Sequence, residues 1–247
     1  RSRVYESGRA KGDYNLSISI MKKYLFLSEK PWHESIYNYL SKREGESWFR
    51  ILRKEDFNEA VLQELQPEII FIPHWSYIIP ESIWKNFTCI VFHMTDLPYG
   101  RGGSPLQNLI VRGHRETMIS AIKVDIGIDT GDVYCKSHLS LEGTAHEIFM
   151  RSTPIIADMI EKIIDEQLSP SPQIGTPVLF ERRKKEEGRL NQLSTLTEVY
   201  DYIRMLDAEG YPNAFIETEH LIVKFKDAKV DSTNDLEIQA NVVITKK

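Results

Sequence analysis

Two short runs, Ile69-Ile70-Phe71-Ile72 and Cys89-Ile90-Val91-Phe92, restrict the folds open to this chain more than any other feature. Neither alternates apolar with polar residues, so each reads as a strand buried on both faces. Strands of that kind need helices on both sides of their sheet, and the sequence around them has helical spacing. Glu34 to Leu40 places Ile36, Tyr37 and Leu40 on one face, and Asn58 to Leu65 does the same with Val61, Leu62 and Leu65 before Pro67 stops it. Tyr24 to Leu27 and Trp48 to Leu52 read as further strands. Strand-helix alternation predicts an α/β fold, a Rossmann-like, mostly parallel sheet flanked by helices and joined by right-handed crossovers. Ligands of such sheets sit beyond the carboxyl ends of the strands. The segments expected there are Pro73 to Ile79, His93 at the end of its strand, and Asp125 to Gly131 after the strand Ser120 to Val124.

Downstream, Thr144 to Ile164 is predicted to be one long helix that Pro154 kinks or divides. Ser169-Pro170-Ser171-Pro172-Gln173 has the composition of a linker. After it come a helix at Thr197 to Met205 and strands at Ala214 to Ile216, Leu221 to Phe225 and Ile238 to Ile244, a small C-terminal β-rich subdomain. The chain therefore divides at 21–168 and 169–247, with residues 1–20 read as an added leader before a start at Met21. The leader's Leu16-Ser17-Ile18-Ser19-Ile20 alternation would suit an extra edge strand.

The 247 residues, 41% hydrophobic and 27% charged, suffice for a full α/β core and a small appended unit. Without an apolar run of roughly 20 residues or a signal-peptide pattern, no membrane association is expected and a cytoplasmic location is. A net charge of −5 argues against a general nucleic-acid partner and for a small molecule. Cys89 and Cys135 lack metal-ligand spacing and read as buried free thiols, and no metal site is expected.

The chemistry centres on His93, the histidine placed at a strand end beside the glycine-rich Tyr99-Gly100-Arg101-Gly102-Gly103 loop. Acyl transfer to an amine needs a base for the proton that the amine sheds and donors for the oxyanion of the tetrahedral intermediate. An imidazole so placed can serve as the base, and Asp129, 36 residues on, can orient it and favour its protonated form.

His93, Leu97-Pro98, the Gly loop, Arg101-Gly102-Gly103-Ser104-Pro105, Gly113, Asp129-Thr130-Gly131 and Pro172-Gln173 together resemble the folate-dependent formyltransferases, from about Met21 through Arg183. The resemblance implies a catalytic domain at 21–168 and 10-formyltetrahydrofolate as co-substrate. Tyr77, Ile78, Ile79, Gly103 and the loop Asp125, Ile126, Gly127, Ile128, Asp129 would hold the pterin, largely through backbone groups, with His93 and Asp129 catalytic. One position departs from the family pattern: the family's Asn two residues before the His is Val91 here. Gln107 or Asn108, on the following helix, are the expected substitute oxyanion donors; the other outcomes are a heavier load on imidazolium and backbone, or a protein that is slow or has lost the activity.

Leu206 to Phe215 is similar to the sugar N-formyltransferases, which implies a nucleotide-linked 4-amino-4,6-dideoxysugar, used in surface glycans, as the small amine acceptor. A homodimer is compatible with that reading. Alternatives are a glycinamide-ribonucleotide or methionyl-tRNA formyltransferase-like enzyme, a folate-dependent deformylase, and a non-catalytic folate binder. Arg182 and Arg183 read as part of a solvated charged loop or as phosphate ligands, and Tyr211 and Phe215 as core or as stacking surfaces.

Overall fold

The computed structural model describes residues 21–230 and 237–247. The expected leader, with its Leu16 to Ile20 alternation, lies outside them. From the N-terminal side the chain forms β1 (Lys22–Ser28), α1 (Glu34–Leu40), β2 (Glu46–Ile51), α2 (Glu59–Leu65), β3 (Ile69–His74), α3 (Glu81–Trp84) and β4 (Thr88–His93). It continues through β5 (Tyr99–Gly102), α4 (Pro105–Val111), β6 (Glu116–Lys123), β7 (Val133–Ser140) and α5 (Ala145–Asp165). The last part contains β8 (Val178–Phe180), α6 (Leu196–Met205), β9 (Ala214–Glu217), β10 (Leu221–Val230) and β11 (Ile238–Lys246).

The main sheet runs β2-β1-β3-β4-β6-β7. Its β-strands show why the apolar runs are continuous: Phe26, Phe71, Ile90 and Phe92 pack toward α1, α4 and α5, while Leu25, Leu27, Ile70, Ile72 and Cys89 pack toward α2 and α3. Local signals place the helix ends. Asn58 accepts the Val61 N–H at 3.1 Å to start α2, and Gln66, left-handed at φ 49°, ends it before Pro67. The C-terminal unit is an antiparallel β11-β10-β9 sheet. The buried Arg204 ties α6 to the main body, donating to the carbonyls of Leu141 (2.6 Å) and Gly143 (2.9 Å) while its Nε pairs with Asp201.

The mostly parallel α/β sheet is as expected, and two details differ. β1 to β4 are parallel, but β6 runs antiparallel to β4, with Ile90 opposite Lys123 and His93 opposite Ser120. The Asp125–Gly131 loop therefore leaves the sheet near the start of β4 and has to return along it to reach His93. The expected long helix is present and runs through Pro154, so of the two expected outcomes division does not occur. That residue and Met150, whose carbonyl loses its intrahelical partner, both face solvent, where water can satisfy the freed carbonyl. Cys89 is buried as expected, its thiol pushed up to about 12 by burial, whereas Cys135 is only half-buried. Among the described residues, no helix is long and apolar enough to cross a membrane.

Candidate active site

His93 is the last residue of β4, and the chain after it is folded back on itself by Ser120. The Ser120 hydroxyl donates to the Thr95 carbonyl at 2.7 Å and accepts the Leu97 N–H at 3.3 Å. This turn delivers the Gly100 carbonyl to His93 Nε2 at 2.8 Å. Gly100 adopts φ +77°, and a Cβ there would lie 2.7 Å from the Thr95 methyl and 2.8 Å from the Phe180 ring, so only glycine fits. A carbonyl only accepts, so Nε2 carries the hydrogen and Nδ1 of the neutral ring keeps its lone pair. Nδ1 stands 3.5 Å from Asp129 Oδ2. That separation suits a ring that pairs with the carboxylate after gaining a proton.

Asp129 gets there by an unusual backbone route. It sits at φ +54°, and its Oδ2 accepts the Gly102 N–H at 2.9 Å. Asp125 shapes the turn before it, its Oδ1 accepting from the Gly127 N–H (3.1 Å) and the Thr130 hydroxyl (2.6 Å). Gln173 closes the other side, donating to the carbonyls of Asp129 (2.9 Å) and Gly131 (2.8 Å) while accepting from Arg101 at 2.8 and 3.1 Å. The Ser169–Gln173 stretch is thus bound against the loop, with Ser171 and Val133 exchanging N–H···O bonds of 2.8 and 2.9 Å.

His93 and Asp129 stand on the wall of one cleft of about 670 Å³. Tyr77, Ile78, Ile79 and Gly103 line it, as does the whole run Asp125, Ile126, Gly127, Ile128, Asp129. Ile78 and Ile126 are 84% and 88% exposed on its lip. Apolar surface held open in a concave site is what a flat heteroaromatic ring would cover.

The two amide candidates part company. Asn108 is off the cleft wall, its Nδ2 donating to the carbonyls of Gly103 (2.9 Å) and Glu181 (2.8 Å) and its Oδ1 accepting from Arg112 (3.0 Å). Its hydrogens hold the Gly loop and the segment after β8 together, which leaves none for an oxyanion. Gln107 lines the cleft, donating to the Met205 carbonyl at 3.1 Å and lying beside the Tyr211 hydroxyl, with which it also interacts. Val91 lines the cleft as well.

Further residues complete the wall, of which Phe149 has no sequence signal of its own. His74, at the end of β3, is held down to about 4 by burial with Lys30 adding to it, and so is neutral at pH 7. Phe149 stacks between Trp32 (5.4 Å, 4°) and Tyr211 (5.6 Å, 29°), and Tyr211 lines the cleft, whereas Phe215 is core. Burial pushes the Tyr211 hydroxyl up to about 12, against the effects of Gln107 and Arg182 beside it. Arg182 reaches the cleft; Arg183 turns away onto the Glu187 carbonyl (3.2 Å) and the Tyr202 ring. β5 and β8, a parallel pair that joins the Gly loop to the segment before Arg182, are short and carry no apolar periodicity that would mark them in the sequence.

Known proteins resemble this chain in sequence and fold. The sequence profile described as formyl transferase matches residues 29–148, and that of the methionyl-tRNA formyltransferase C-terminal domain matches residues 185–245. A solved methionyl-tRNA formyltransferase from Clostridium thermocellum is 44% identical, with a TM-score of 0.88, and the match covers 92% of this chain and 100% of that one. HypX from Aquifex aeolicus, solved with tetrahydrofolic acid, shares the fold at 18% identity and a TM-score of 0.72 over 85% of this chain and 38% of that one. The methionyl-tRNA formyltransferase of Rickettsia massiliae (strain Mtu5) is 28% identical over 185 residues, 72% of this chain; the match spans 60% of that protein's length. With the fold, the His93–Asp129 pair and a 44%-identical relative matched along its whole length, the chain belongs to the formyltransferase family.

Proposed function

We propose that this protein transfers a formyl group from 10-formyltetrahydrofolate to a primary amine. The observation that carries the reading is the placement of His93 on the cleft wall, with Nε2 2.8 Å from the Gly100 carbonyl and Nδ1 3.5 Å from Asp129 Oδ2, a carboxylate placed to pair with an imidazolium. The acceptor amine attacks the formyl carbon, and the new C–N bond places negative charge on the formyl oxygen. His93 Nδ1 takes the proton that the amine sheds, and Asp129 pairs with the imidazolium. Collapse of the intermediate breaks the bond to N10 of the folate, and His93 returns the proton to that nitrogen. Gln107 is the side-chain amide on the wall available to the oxyanion where the family's Asn is replaced by Val91. The exposed Ile78 and Ile126 supply an apolar cover for the pterin, whose polar edge would bond to backbone groups of the 125–129 loop.

Two acceptor classes are each favoured by an observation. The 44%-identical relative and the C-terminal profile are both named for methionyl-tRNA, which makes that class the better supported by relationship. The charge of the C-terminal unit favours a small acceptor such as a nucleotide-linked 4-amino-4,6-dideoxysugar. Residues 185–247 carry eight Lys and Arg against twelve Asp and Glu, and binding to tRNA draws its affinity from cations that neutralise phosphates.

The test is to supply 10-formyltetrahydrofolate with methionyl-tRNA or with nucleotide-linked amino sugars and to follow tetrahydrofolate release and the formylated product by mass. His93→Ala and Asp129→Ala should each lower turnover by about 10²–10⁴-fold in folded protein. A near-native rate in His93→Ala refutes the assignment, and formate release that needs no amine replaces it with deformylation.

A further inference from the structure

We propose that Gln173 is a positioning residue that holds Asp129 in the one backbone conformation that turns its carboxylate toward His93. The proposal rests on the reading above in taking Asp129 as the partner of His93. Asp129 is a non-glycine residue at φ +54°, in a region that L side chains seldom adopt. A loop residue in that region persists only when its surroundings over-determine it. Here they do so from both sides. The Gly102 N–H binds the carboxylate at 2.9 Å, and Gln173 Nε2 binds the main-chain carbonyls of Asp129 and Gly131 at 2.9 and 2.8 Å.

Gln173 is itself fixed. Its Oε1 accepts from Nε and NH2 of Arg101, the residue next to Gly102, so Arg101, Gly102, Asp129 and Gln173 form a closed ring of contacts. Ser171, two residues earlier, is paired with Val133 on the strand that leaves the loop. Both hydrogens and the oxygen of the Gln173 amide are engaged, and its side chain is not on the cleft wall. It therefore acts on the reaction through Asp129 and not by touching substrate. The same contacts explain why the linker lies against this loop: the segment that leads to the C-terminal unit also sets the geometry of the His93 pair.

Three variants test this. Gln173→Leu removes every polar contact at nearly constant volume. Gln173→Glu keeps an acceptor for Arg101, and so keeps the tether, but has no hydrogens for the two carbonyls. Both should lower kcat by about 10²-fold, the cost of a misplacement near 1 Å, with the KM for the acceptor little changed. Full activity in Gln173→Glu would mean that the tether alone matters and would overturn the proposal. The side-chain ¹⁵N resonances of His93, which report the partner of each ring nitrogen, give a readout independent of turnover. Asp129→Asn should move them, and Gln173→Leu should move them the same way. Movement in Asp129→Asn with none in Gln173→Leu refutes the role of Gln173, whereas no movement in Asp129→Asn refutes the His93–Asp129 pairing instead.

Discussion

Replacing Gly100 by alanine should damage both stability and turnover, by amounts that the local geometry sets separately. The residue's φ of +77° puts an L side chain in the left-handed region, which costs about 1–2 kcal/mol. The added methyl would also lie 2.7 Å from the Thr95 methyl and 2.8 Å from Phe180, and overpacking in a core adds about 1–3 kcal/mol. Gly113 provides the control, since its φ is +79° and nothing lies within 4 Å of a Cβ built there. Gly113→Ala should therefore show the backbone cost alone, and the difference between the two variants isolates the overlap. Urea unfolding of both gives the difference directly. Because relief of the overlap moves the Gly100 carbonyl away from His93 Nε2, Gly100→Ala should also lose turnover that Gly113→Ala retains. Deleting the Thr95 methyl in Thr95→Ser/Gly100→Ala should recover part of the overlap cost, a coupling that a double-mutant cycle detects. Equal stability losses for the two glycines, with turnover intact in both, would refute the reasoning.

Stability should also fall with acid in a window set by two histidines, the buried His33 and the half-buried His74. His74 is depressed from 6.5 to about 4 and His33 to about 3, in both cases first by burial, so the unfolded chain takes up protons that the native state refuses. Their contribution is present above pH 6.5 and is lost as pH falls toward the folded values; for His74 alone the loss by pH 5 is about 2 kcal/mol. Urea unfolding at pH 7 and pH 5 should show it, and His74→Gln should flatten the dependence. The two amides of α4 should separate cleanly in a combined kinetic and unfolding measurement. Gln107→Ala lowers turnover with folate binding little changed, as an oxyanion donor would. Asn108→Ala instead costs about 1–3 kcal/mol of stability, because the carbonyls of Gly103 and Glu181 lose their partner.

Much of the architecture is readable along the chain because its causes are local. A strand buried on both faces is apolar at every position, as Ile69 to Ile72 and Cys89 to Phe92 are; Asn58 starts α2 by accepting the Val61 N–H, and Pro67, with no N–H to donate, bounds its end. The turn at 125–131 and the strand-end histidine were legible for the same reason, since glycines and a carboxylate at close spacing describe a turn before any partner is known. Direction is another matter. No residue of β6 records that it runs against β4, because the side-chain pattern of a buried strand is the same in either direction.

What lies across the fold was decided only by the tertiary structure. Asn108 and Gln107 are adjacent on one short helix with the same functional group, yet one holds the Gly loop and the other faces the cleft. A helix turns by about 100° per residue, and the packing of α4 alone determines which amide points where. Gln173 looks like part of a proline-serine linker, and its bonds to Arg101, 72 residues away, and Asp129, 44 away, exist only once β5, β7 and the loop have met. His74 is a strand-end histidine like His93; burial among Trp32, Phe149 and His33 makes it a neutral wall residue, while the Gly100 carbonyl and Asp129 give His93 a defined tautomer and a counter-charge. Spacing in the sequence sets which groups are at hand. The dielectric around a group and the direction of its lone pairs are properties of the packed chain.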